Sequence, residues 1–144
     1  MKIQNVIYSF RFKVLKMANH IVEFTASEDT KIRIGVPAAQ PKEAIEALIR
    51  LFSEMENVLS ARLGLMEILH PEGNSIFTYI IGITCTSKQE AVNQQAIEVL
   101  QLAHNGDGPI CIVPPTEQYF TDEAIVFFKR ESKPQNWFSR LFSN

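Results

Sequence analysis

Three histidines and two cysteines are the residues best equipped for chemistry in this chain, and their placement argues against it. His20 opens a strand-like run, His70 sits at a loop edge and His104 ends a helical stretch, none with an acid or cysteine at relay or ligand spacing. In a last helical turn, His104 is simply a favourable charge at the negative helix end. Cys85 and Cys111 lie in apolar, β-like segments without the spacing of a metal or redox pair. They read as buried, reduced thiols, which fits a cytoplasmic protein. The run His104-Asn105-Gly106-Asp107-Gly108 follows a helix and precedes a strand, whereas a phosphate cradle must follow a strand and open a helix. Glu43, Glu46, Glu54 and Glu56 fall on or near the polar side of one helical stretch, where solvation explains them. The sequence therefore predicts no catalytic residue, no metal and no cofactor.

The elements that must position any site are those of one domain. A chain of 144 residues, 46% hydrophobic and 21% charged, has the composition of an ordinary globular protein. The longest apolar runs, such as Ile80-Ile81-Gly82-Ile83, fall far short of the ~20 residues that a membrane-spanning helix needs. Arg11, Lys13 and Lys16 break the apolar stretch behind Met1-Lys2, so a secretory signal is not expected. Residues 1–20 hold four basic residues and no acid, while residues 21–144 hold ten basic and sixteen acidic ones. An acidic body argues against nucleic acid as a partner, because binding phosphates needs clustered Lys and Arg.

Along the chain, residues 1–29 form an arm with conflicting periodicities. Tyr8, Phe10, Phe12 and Val14 alternate as in a strand, but Ile3, Ile7, Phe10, Val14, Met17 and Ile21 recur at helical spacing. Residues 21–25 lie within a short strand-like run. Ile32, Ile34 and Val36 then alternate with Lys31, Arg33 and Gly35 until Pro37 ends the strand. After Pro41, Ala44, Ile45, Leu48, Leu51, Phe52 and Met55 share one helical face. Two long strands follow around the turn Pro71-Glu72-Gly73-Asn74. Ser87 and Glu90 suggest a capping box for a second helix carrying Val92, Ala96, Val99, Leu100 and Ala103 on one stripe. A short strand at Pro109 to Val113 and an extended segment at Ala124 to Arg130 close the pattern. The order β-α-β-β-α-β predicts an α+β, ferredoxin-like sandwich with both helices on one sheet face, an additional N-terminal arm, a C-terminal strand and an aromatic tail.

The alternation assigns Lys31, Arg33, Gly35, Ser60, Arg62, Gly64, Thr78, Ile80, Gly82 and Thr84 to the sheet face away from the helices. Glycine within a strand marks a bulge or the close approach of a backbone or ligand. Arg33, Gly35, Arg62, Gly64 and Gly82 are therefore the candidate binding residues of that face. Its occupant is the chain's own arm, a protein partner, or a small anion held by Arg33 and Arg62. RNA fits poorly, since Phe77 and Tyr79 have the core-facing parity. The tail, residues 132–144, places Trp137, Phe138, Leu141 and Phe142 on one face of a short helix and is a second candidate binding element. It docks on its own domain, in a partner's groove or on a membrane surface, the last poorly served by Arg140 as the single charge of the stretch 136–142.

The segments Lys31-Ile32-Arg33-Ile34-Gly35-Val36-Pro37, Ala47-Leu48 through Phe52, Val58 to Leu65 and Phe127-Phe128-Lys129-Arg130 resemble the C-terminal domain of the enhanced serine sensitivity protein, SseB. The resemblance covers residues 30–131 and implies a bacterial, cytoplasmic protein. Full-length relatives carry a different domain ahead of this one. The family offers no catalytic residues to carry over. The first expectation is a non-enzymatic protein-interaction module, with self-association into a dimer included. A regulatory domain binding an amino acid, or a toxin-neutralising immunity protein, is the alternative.

Overall fold

The computed structural model describes residues 2–5, 11–15, 21–25, 31–69, 73–103 and 108–131. His20, His70, His104, Trp137, Phe138, Leu141 and Phe142 lie outside the described residues. Three strands come from the arm: β1 (Lys2–Asn5), β2 (Arg11–Leu15) and β3 (Ile21–Thr25). The competition between strand and helix periods in this segment resolves, where it is described, in favour of strands. Then follow β4 (Lys31–Gly35), α1 (Lys42–Ser53), β5 (Val58–Leu69), β6 (Ser75–Cys85), α2 (Gln89–Ala103), β7 (Ile110–Val113) and β8 (Ile125–Lys129).

The result is an α+β protein with a mixed sheet in the order β1-β4-β5-β6-β7-β2-β3, with β8 beside β5 off that path. All pairs are antiparallel except β6 with β7. The element order agrees with the expectation, but the sheet order does not. A ferredoxin-like sheet interleaves its two β-α-β units, whereas here β4, β5, β6 and β7 lie side by side in chain order. The length of β5 permits this. Its twelve residues give one edge to two partners: Leu65 to Leu69 pair with β4, and Ser60 to Leu63 pair with β8.

Both helices lie against one face of the sheet. Ala44, Ile45, Leu48 and Phe52 of α1 and Val92, Ala96, Ile97 and Leu100 of α2 form a core with Val58, Ala61, Leu63, Ile81, Ile83 and Ile110. The expected capping box is not what starts α2. Lys88 adopts a left-handed φ of 56° just before the helix, and the Ser87 carbonyl accepts a hydrogen bond from Asn57 Nδ2 at 2.9 Å.

A second core occupies the opposite face: Ile32, Ile34, Met66, Ile68, Ile80, Cys111 and Val113, closed over by Tyr119 and Phe120. Burial pushes the Cys111 thiol pKa well up, keeping it protonated and unreactive at neutral pH. Cys85 shifts in the same direction, through burial and against the opposing effect of a hydrogen bond with Gln89.

Register corrects the assignment of faces on β4. Arg33 lies opposite Glu67, which lies opposite Phe77, in the same row parity as Tyr79 and Ile81. Arg33 and Gly35 therefore belong to the helix side, and Ile32 and Ile34 to the other. The alternation is as expected, but its sides are reversed, because a one-residue shift in pairing inverts every side chain of a strand.

Candidate functional site

Gly64 and Gly82 sit on neighbouring strands of the second face, both buried. Phe120, 4% exposed, lies on top of them. A Cβ on Gly82 would stand 2.6 and 2.8 Å from the Phe120 ring and 2.9 Å from the Pro115 backbone. On Gly64 it would meet Phe120 and Ile80 at 3.2–3.3 Å. The glycines therefore do mark a close approach, and the approaching group is the chain itself: the segment from Pro114 to Ala124, between β7 and β8. The β1 strand and the β2-β3 pair take edge positions in the sheet.

Arg62 borders this plug. Its guanidinium lies 5.6 Å from the centroid of the Phe120 ring, and Nη2 donates to the Pro115 carbonyl at 3.5 Å. A cation over an aromatic face and a carbonyl beneath one nitrogen hold the group while leaving other donors open. Beyond Arg62 lies a cleft of about 360 Å³ lined by Ser60, Arg62, Thr121, Asp122, Ala124, Val126 and Lys129. Two cations, one acid and two hydroxyls surround a small apolar floor. Its volume lies near the bottom of the range of about 300–1,000 Å³ typical of ligand sites.

Of the five residues predicted for one face, three share it: Arg62, Gly64 and Gly82. Only Arg62 reaches the cleft. Arg33 stands on the other side of the sheet, 3.9 Å from the Glu67 carboxylate, with its Nε buried and unpartnered among the described residues. Gly35 pairs with Leu65 on that same side. The sequence reading missed Phe120, Thr121, Asp122, Val126 and Lys129 as site residues. The available signal was the pair of strand glycines, which calls for a bulky group from elsewhere in the chain. Among the described residues, no three His, Cys, Asp or Glu side chains are grouped to hold a metal.

The end of β8 ties this rim to the helices. A bulge opposite Ala61 and Arg62 turns both Phe127 and Phe128 toward the helix-side core, with ring centroids 6.4 and 5.7 Å from Phe52. Arg130 then donates from Nη2 to the carbonyls of Phe52 and Met55, each at 2.8 Å, and from Nε to that of Val58 at 3.0 Å. Phe52 lies in the last turn of α1, Met55 in the turn that follows and Val58 at the start of β5, so the cation anchors the C-terminal end of the helix, where positive charge is favoured, and ties it to the next strand. The Phe-Phe-Lys-Arg run thus joins β8 to α1.

The model of the SseB protein C-terminal domain matches residues 26–130. This chain belongs to the SseB family. The matched span begins ahead of β4 and ends on Arg130, the residue that clamps α1. No curated protein and no solved structure matches the chain. No helix among the described residues is long and apolar enough to cross a membrane.

Proposed function

We propose that this SseB-family domain is a non-enzymatic interaction module whose protein partner docks along the rim formed by β8 and the adjoining cleft. The observation that carries this reading is the closure of the second sheet face by Phe120, which takes up Gly64 and Gly82 and leaves the rim beside it as a surface of mixed chemistry. On it, Arg62 and Lys129 attract a carboxylate, Ser60 and Thr121 supply hydroxyls, and Val126, 54% exposed, offers apolar contact. β8 also keeps one edge without a strand partner among the described residues. An edge strand with unpaired backbone groups is a standard docking element for another chain.

The test is site-specific photocrosslinking in the intact protein. A photoreactive residue at Val126 is expected to give a discrete protein adduct in cells, identified by mass spectrometry. The same probe at Leu102, an exposed position of α2, is the control and is expected to give none. Equal labelling from both positions, or none from Val126, would remove the rim from consideration.

A further inference from the structure

We infer that the partner on the β8 rim is a second copy of this chain, paired antiparallel through β8. This rests on the rim being the docking surface, and it names the occupant. The sequence around β8 runs Asp122-Glu123-Ala124-Ile125-Val126-Phe127-Phe128-Lys129: acidic at its start, apolar in its middle, basic at its end. A strand with this polarity is complementary to itself when reversed. A two-fold axis passing near Val126 brings the Asp122-Glu123 end of each copy to the Lys129 end of the other, giving the same favourable charge pairing twice. Parallel pairing would instead set acid against acid and base against base.

The exposures fit this role. Asp122, Glu123, Val126 and Lys129 are all exposed, and Val126 would meet its own symmetry mate as a β-branched cross-strand pair. Lys129 is the only charge within the five residues of β8. An edge so sparsely charged is poorly defended against pairing with another strand. Two-fold, isologous contact is also the commonest arrangement by which identical chains associate. The carboxylate for which Arg62 and Lys129 are placed is then supplied by the acidic end of the other copy.

Sedimentation equilibrium of the full chain across a dilution series tests this. The wild type is expected to approach twice the 16.4 kDa chain mass as concentration rises. The basic-end variant K129E and the acidic-end variant D122K/E123K are each expected to stay monomeric, because like charges then face each other at both ends. An equimolar mixture of the two is expected to recover the dimer mass, because each variant now complements the other. Circular dichroism of every sample confirms that it is folded. A monomeric wild type, variants that dimerise alone, or a mixture that stays monomeric each overturns the inference. If the wild type is monomeric while Val126 crosslinks to a different protein, the rim remains the docking surface and only its occupant is wrong.

Discussion

Phe120→Ala is expected to destabilise the protein by about 3–5 kcal/mol, the usual cost of removing a fully packed phenylalanine. Phe120 closes the second core, filling the space above Gly64 and Gly82 and supporting Tyr119 beside it. Its loss opens a cavity over two glycines that have no side chain with which to fill it. It also removes the ring under the Arg62 guanidinium. Against a typical domain stability of about 5–15 kcal/mol, this is a large fraction. Thermal denaturation should show a fall in Tm of roughly 10–20 °C for a chain of this size. A fall of only a degree or two would mean that the segment from Pro114 to Ala124 rests loosely on the sheet.

Arg130→Met is expected to cost about 2–4 kcal/mol, read as a lower urea midpoint with an unchanged slope. Methionine keeps much of the stem but removes three charge-assisted hydrogen bonds to the carbonyls of Phe52, Met55 and Val58. The Phe52 and Met55 carbonyls keep backbone partners, accepting from the amides of Met55 and Val58, which limits the penalty. Arg130→Lys should recover little of the loss. One ammonium cannot reproduce a planar fork that serves three acceptors from two nitrogens. Full stability in the lysine variant would show that charge alone holds the end of α1.

The residues show how far sequence reasoning reaches in this fold. The helical stripes of α1 and α2 were legible because most apolar residues of each helix recur on one face, Leu102 of α2 being an exposed exception, and Leu48, Phe52, Val92 and Leu100 are core residues. The long strands β5 and β6 were legible from alternation and the intervening turn. The side taken by β4 was not. Alternation divides Ile32 and Ile34 from Arg33 and Gly35 but does not say which pair meets the helices; only the pairing of Arg33 with Glu67 decides it. Sheet order is hidden for a related reason, since β5 is long enough to accept two neighbours on one edge.

The candidate site was half legible. Gly64 and Gly82 announced a close approach, but their partner Phe120 lies thirty-eight residues beyond Gly82, in a segment whose Thr, Glu and Asp content reads as a turn. No local period links the two. The bulge that turns Phe127 and Phe128 to the same side is equally invisible to a two-residue alternation. Lys129 and Val126 thereby fall beside Ser60 and Arg62, and the cleft arises from that irregularity.

The central claim is that the second sheet face is interior, sealed by the chain's own Phe120, and the proposal of a docking rim rests on that closure. A double-mutant cycle of Gly82→Ala and Phe120→Ala, followed by urea denaturation, tests it most directly. In the wild-type background, Gly82→Ala should cost about 1–3 kcal/mol, because the new methyl meets both the ring and the Pro115 backbone. In the Phe120→Ala background the methyl no longer meets the ring and keeps only its contact with the Pro115 backbone, and the cost should shrink by at least about 1 kcal/mol, within the range of coupling seen between touching residues. Equal costs in the two backgrounds would mean that Phe120 does not rest on Gly82, and the second face would again be open to a partner.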